Sequence, residues 1–208
     1  MSDHDHDEGH HPDHDEGHDH DHDEGHDHDE GHPPDEGHDH DEGHHHRHDV
    51  DTLAAGIVTV SSSRTLDDDP AGDAIAAAFE AEGHEVTTRE LVPDDYDRVQ
   101  ATLRNVARRG DVDAVVSTGG TGVTPDDVTV EAADPLFEKT LPGFGELFRR
   151  LSYDEIGTRV VGTRAVAGIV EGTPVFCLPG SENAARLGAT AVIVPEAGHL
   201  SGLATRDA

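Results

Sequence analysis

Between Thr118 and Thr129 the chain reads Thr-Gly-Gly-Thr-Gly-Val-Thr-Pro-Asp-Asp-Val-Thr, so three glycines stand directly ahead of two adjacent carboxylates. Gly119, Gly120 and Gly122 have no Cβ, so their amides can turn toward an anion while the hydroxyls of Thr118 and Thr121 add donors. Such a loop holds phosphate without a basic side chain, and because no Lys follows it is not a Walker loop. Taken alone, the same glycines can also make a plain tight turn between a strand and a helix. The carboxylates favour the first reading. Asp126 and Asp127 would repel a phosphate unless a divalent cation lay between, and magnesium takes one or two carboxylates together with water and nucleotide oxygens. Asp94 and Asp95 form a second pair that can join such an ion or cap a helix. Arg164 can clamp a phosphate or enter a surface ion pair.

A different ligating chemistry fills the first fifty residues, which hold 17 of the 19 histidines and 20 of the 46 acidic residues. The hexapeptide Asp-His-Asp-Glu-Gly-His recurs from residues 5, 13, 21, 27 and 39. Neutral imidazole suits zinc, nickel, cobalt and copper, so His18, His20 and His22, or His44, His45, His46 and His48, can bind such ions and serve in metal buffering or delivery. The plain alternative is a solvated acidic tail, and the spacing selects no particular metal. Val50 is the one branched aliphatic residue of this segment. Residues 1–50 therefore cannot bury enough apolar surface to offset the entropy of ordering, and are expected to be disordered. The repeats also lack the apolar face that a solenoid stacks. Residues 51–208 are long enough for one domain.

The candidate loops need strands to hold them. Ala54 to Val60 is a short apolar run rich in β-branched residues, and a helix with Ile75 and Phe79 on one face follows it and ends at Gly83. Val86 to Val92 reads as a second strand. A helix begun by Asp94 or Asp95 comes next, with Tyr96, Val99, Leu103 and Val106 spaced for one buried face and Gly110 closing it. Ala114 to Ser117 is a third strand that runs into the glycine loop. A helix over Gly145 to Leu151, strands near Arg164 to Val170 and Thr173 to Leu178, and a terminal helix from Glu182 complete the pattern. Strands alternating with helices imply an α/β domain, a mostly parallel sheet covered on both faces. Ligands bind such sheets beyond the carboxyl ends of the strands, so Ser61–Arg64, Pro93–Asp95, Thr118–Thr124 and Pro179–Ser181 are expected to converge along one edge.

Composition removes several classes. No stretch approaches the roughly 18 apolar residues of a membrane span, and the acidic start has neither the basic residues nor the apolar run of a secretory signal, so a soluble cytoplasmic protein is expected. The net charge is −32, and from residue 51 onward only 13 basic residues face 26 acidic ones, with a single Lys. Nothing there offers nucleic-acid phosphates a basic stripe. Abundant Asp, scarce Lys and few aromatics match a halophile's balance, in which high salt screens self-repulsion. The lone Cys177 excludes an internal disulfide and dithiol chemistry, and inside an apolar strand it reads as a small buried hydrophobe. His84 and His199 read as surface or cap residues.

The motifs Ser117-Thr118-Gly119-Gly120-Thr121-Gly122, Asp126-Asp127-Val128-Thr129, Pro142-Gly143-Phe144-Gly145-Glu146-Leu147-Phe148 and Pro179-Gly180-Ser181 occur in that order after Val60-Ser61-Ser62-Ser63-Arg64-Thr65. Together they resemble the MoaB/Mog family of molybdenum-cofactor biosynthesis proteins over residues 52 to 205. The resemblance implies a three-layer α/β/α sandwich assembled as a homotrimer or homohexamer. It also implies adenylylation of molybdopterin by magnesium ATP, ahead of molybdate or tungstate insertion by a partner protein. By that resemblance Gly119, Gly120, Thr121 and Gly122 hold the nucleotide phosphates, and Asp94 and Asp127 are catalytic or position magnesium. Pro179, Gly180 and Ser181 match a pterin-pocket loop, and Thr163-Arg164 stands where members often carry Ser-Arg. Two positions depart from the pattern: Val130 replaces a usual Pro, and Ala71 replaces a usual Ser before Gly72. Two other classes of function stand beside this one, a pterin- or nucleotide-binding relative without catalysis and a metal-handling protein acting through its tail. Pro142–Phe148 is either a pterin contact or a packing and assembly element.

Overall fold

The structure, a computed structural model, describes residues 52–205. The tail and its candidate ligands His18, His20, His22, His44, His45, His46 and His48 lie outside the described residues. Among the described residues six strands form one sheet, β1 (Ala54–Val60), β2 (Glu85–Val92), β3 (Ala114–Thr118), β4 (Lys139–Thr140), β5 (Val166–Val170) and β6 (Thr173–Leu178), in the order β2-β1-β3-β6-β5-β4. The first four in that order are parallel, and β5, between β6 and β4, runs antiparallel to both. The reversal has a local cause. Only Glu171 and Gly172 separate β5 from β6, both at positive φ (51° and 82°), and a two-residue loop of that kind closes a hairpin and no parallel pair.

Alternation along the strands divides the core. Ala55, Ile57, Val116, Phe176 and Leu178 face one side, packed against α1 (Pro70–Ala81), α4 (Pro142–Ile156), α5 (Glu182–Gly188) and α6 (Val194–Ala204). Val58, Val60, Val115, Val175 and Cys177 face the other, under α2 (Tyr96–Ala107) and α3 (Thr129–Ala133). The result is a three-layer α/β/α arrangement. Three details differ from the sequence-based expectation. Tyr96, spaced for the buried face of α2, is 39% exposed while Val99, Leu103 and Val106 are fully buried. It is the first residue of the helix, and its hydroxyl accepts from the Gln100 amide. Strand β4 has two residues, too few to show any periodicity. The helix from Glu182 is broken by a π-helical turn at Ala189–Ile193, just ahead of Pro195, which has no amide to donate.

The connection after β1 leads to α1 on one face, whereas that after β3 leads to α3 on the other. Neighbouring parallel strands whose connections part in this way leave a crevice at their carboxyl ends.

Candidate functional site

A cavity of about 390 Å³ occupies that crevice, lined by Val60, Ser61, Ser63 and Arg64 of the turn after β1, Gly119 to Gly122, Asp127, Gly162, Thr163, Pro179 and Gly180. Backbone hydrogen bonds join the strand ends as expected: Ser61 N donates to Val92 O at 2.8 Å and Gly119 N to Leu178 O at 3.0 Å. Gly119 and Gly120 lie at φ +100° and +63°. A Cβ at Gly119 would collide with the Val60 carbonyl oxygen, and one at Gly120 with the Thr129 hydroxyl, so this turn admits only glycine at both places. Thr129 locks it, donating Oγ1 to Gly119 O at 2.8 Å and N to Gly120 O at 2.9 Å.

The loop's amides are unequal. Gly119 N–H is spent on Leu178, and Thr118 donates its hydroxyl to Pro179 O at 2.9 Å, so neither is the phosphate donor that its residue type suggested. Gly122 N–H is drawn to the Asp127 carboxylate. Among the described residues no acceptor takes the amides of Gly120 and Thr121. These two are the donors left for an anion.

Asp127 lies in the lining, and its Oδ2 accepts from Thr124 N at 2.8 Å and Thr124 Oγ1 at 2.6 Å. Desolvation pushes this carboxyl up. Hydrogen bonds from the Thr124 hydroxyl and the Thr124 and Gly122 amides, with the Arg164 charge, outweigh it and hold the pKa below the usual aspartate value. Asp127 is therefore anionic at neutral pH. Its oxygens suit a hard cation that arrives with nucleotide phosphates. Among the described residues no group of three or more His, Cys, Asp and Glu side chains gathers to hold an ion by itself.

The partner expected for Asp127 is placed differently. Asp94 is not in the cavity lining. Its Oδ2 accepts from Ser62 N at 2.7 Å and Ser62 Oγ at 2.8 Å, and its own amide donates back to that hydroxyl. Asp94 thus braces the turn after β1, and Asp95 caps α2 by accepting from Arg98 N at 3.0 Å. Arg164 is corrected as well. Its Nε donates to Gly122 O at 2.6 Å, its Nη2 to Asp127 O at 3.1 Å, and its Nη1 is paired with Glu131. Four of its five N–H groups are taken by these carbonyls and Glu131, and it is not in the lining of the first cavity.

Thr163 and Pro179 also line a second cavity of about 420 Å³. Phe148, Ile156, Ala184 and Leu187 give it apolar walls, and Ser152, Glu155, Glu182 and Asn183 give it polar groups. Ser181 faces this side and caps α5, accepting from Ala184 N at 3.3 Å. The Pro142–Phe148 segment opens α4, where Phe144 packs edge-on against Phe176 at 5.2 Å and Phe148 reaches the second cavity. Ala71 is fully buried and outside both linings. Cys177 is buried with its thiol pushed up to about 11 by desolvation, as befits a packing residue.

Sequence reasoning placed Arg64 at the shared edge without giving it a role, and passed over Asp69. Arg64 lines the first cavity and donates Nη2 to Gly180 O at 3.0 Å. The signal for it was its place directly after a strand at the shared edge.

A family model described as a probable molybdopterin binding domain matches residues 56–199. Molybdenum cofactor biosynthesis protein B of Halalkalibacterium halodurans is 42% identical over 157 residues, which cover 75% of this chain and 92% of that one. A crystal structure of a molybdenum cofactor biosynthesis protein B superposes with TM-score 0.72 at 39% identity, over 76% of this chain and 99% of the other. The tungsten cofactor synthesizing protein MoaB from Pyrococcus furiosus gives 0.67 at 38% identity, over 76% and 99%.

Proposed function

The chain belongs to the MoaB/Mog family of molybdenum-cofactor biosynthesis proteins, and from that membership we propose that it adenylylates molybdopterin with magnesium ATP. The observation that carries the reading is the pair of cavities sharing Thr163 and Pro179, one lined by unspent amides and an ionised Asp127, the other half apolar and half polar. The first suits a triphosphate. The second suits a flat heterocycle whose ring needs apolar walls and whose edge needs hydrogen-bond partners.

A terminal phosphate oxygen of molybdopterin attacks the α-phosphorus of ATP, the new O–P bond forms, and the α–β bridge breaks to release pyrophosphate. The attacking phosphate is already anionic, because its second pKa is about 6, so no strong base is required. The barrier is charge and alignment. The amides of Gly120 and Thr121 take phosphate oxygens, and Asp127 holds the magnesium that neutralises the triphosphate. Asp94 keeps the Ser61–Arg64 turn in place through Ser62. In this reading the product passes to a molybdate- or tungstate-inserting protein, and the chain works as a homotrimer or homohexamer.

Incubation with ATP, magnesium and molybdopterin should release pyrophosphate; none released under conditions where both ligands bind removes the catalytic reading. Asp127→Asn should lower turnover by about a hundredfold, the scale of a lost electrostatic contact at a reacting group, with ATP affinity within about threefold of wild type. Equal losses in both would take this role from Asp127.

A further inference from the structure

The turn between β1 and α1 contains a carboxylate with no exposed side-chain surface, Asp69. It accepts from Thr59 Oγ1 at 2.5 Å and, as the cap of α1, from Gly72 N at 3.1 Å. Capping alone does not account for it, since Ser or Asn would serve the helix as well without burying a charge. Two arginines supply the rest. Arg89 Nη2 lies 3.3 Å from Asp69 Oδ2, and its Nη1 is committed to Asp73 at 2.7 Å. Arg64 Nη1 lies 3.5 Å from Asp69 Oδ1. The other end of the Arg64 guanidinium donates to the Gly180 carbonyl, across the cavity edge from its own turn. Among the described residues Arg64 is the one cationic side chain lining the cavity that holds Asp127 and the free amides of Gly120 and Thr121.

We propose that Asp69 is a positioning residue that holds the Arg64 guanidinium between the turns after β1 and β6, where it takes a phosphate oxygen opposite the glycine loop. The proposal rests on the nucleotide reading above and names the cation that reading lacks. Without Arg64 the side chains of this lining carry negative charge only, and a triphosphate would meet Asp127 with backbone dipoles alone to oppose the repulsion. A planar fork reaches Asp69, Gly180 and a phosphate at once, whereas a lysine has one ammonium for all three.

The test is calorimetric titration of the full chain with magnesium pyrophosphate and magnesium tripolyphosphate. Arg64→Ala should weaken both by about tenfold, the scale of a charge-assisted bond, and Arg64→Lys should recover little of it. Asp69→Asn keeps an acceptor for Gly72 N and should weaken both by about threefold to tenfold by releasing Arg64. The double variant should bind no worse than Arg64→Ala, which a merely structural Asp69 would not produce. Nitrogen NMR of the ligand-free wild type needs no substitution, and slowed rotation of the Arg64 guanidinium is expected. Wild-type affinity in Arg64→Ala, additive losses in the double variant, or a freely rotating guanidinium would overturn the proposal while leaving the nucleotide reading intact. Failure of the wild type to bind either polyphosphate would overturn both.

Discussion

Arg164 spends its guanidinium on the frame of the site, tying the carbonyls of Gly122 and Asp127 to Glu131. Glu131 in turn is held below the usual glutamate range by its hydrogen bond to Arg164. The pair is partly exposed, 31% and 52% by side chain, so the ion pair itself adds little in water. The bonds to two backbone carbonyls matter more, because they keep the glycine loop and the aspartate loop at a fixed separation. Arg164→Ala should cost about 1–2 kcal/mol in denaturant unfolding. Turnover should fall further than that loss of stability would explain, because Asp127 loses its register against the loop. An unchanged rate would show that the two loops keep their places without the strap. Asp94, Asp127 and Arg164 look interchangeable as charged residues near glycines, yet one braces, one faces the cavity and one ties.

At the level of elements, the site is made by backbones brought unusually close. A Cβ on Gly122 would lie 2.7 Å from Asp127 Oδ2 and 3.1 Å from its Cγ, so the missing side chain is what lets the carboxylate lie against the loop. Gly143, in the first turn of α4, has open space instead. The same substitution should therefore act oppositely at the two places. Gly143→Ala should stabilise the fold by about 0.5–1 kcal/mol through helix propensity and a less flexible unfolded chain. Gly122→Ala should displace Asp127 and cut pyrophosphate release by about tenfold or more, given how steeply rate depends on placement. Melting curves and rates measured on both variants check this pair. A Gly122→Ala protein with full activity would mean that the carboxylate's close approach is incidental.

For the whole molecule the dominant quantity is charge, −32 in all, with 20 of the 46 acidic residues and 17 of the 19 histidines before residue 51. No helix among the described residues is long and apolar enough to cross a membrane. Deleting residues 1–49 should abolish most zinc or nickel binding in equilibrium dialysis, since the imidazoles go with it, and should leave adenylylation unchanged. Activity lost on deletion and restored by added metal would instead make the tail a supply device. Residues 51–208 still carry twice as many acids as bases. The melting temperature of the truncated chain should therefore rise with sodium chloride as screening shortens.

Five of the six described strands, most helices and the glycine-aspartate loop were legible in the sequence because each depends on residues close together in the chain. A β-branched apolar run marked β1, helical spacing marked α2, and Gly119 to Asp127 is one continuous run, whereas the Glu171-Gly172 hairpin was not read. Tertiary structure decided which polar groups face the cavity. Gly119 gives its amide to Leu178, Asp94 turns to Ser62, Arg164 reaches back to Gly122, and Arg64 spans to Gly180, 116 positions away. Each of these partners is set by strand order and by the face on which a connection leaves. A side chain's type fixes what it can bond to, but only the packed fold settles which donors and acceptors are already used.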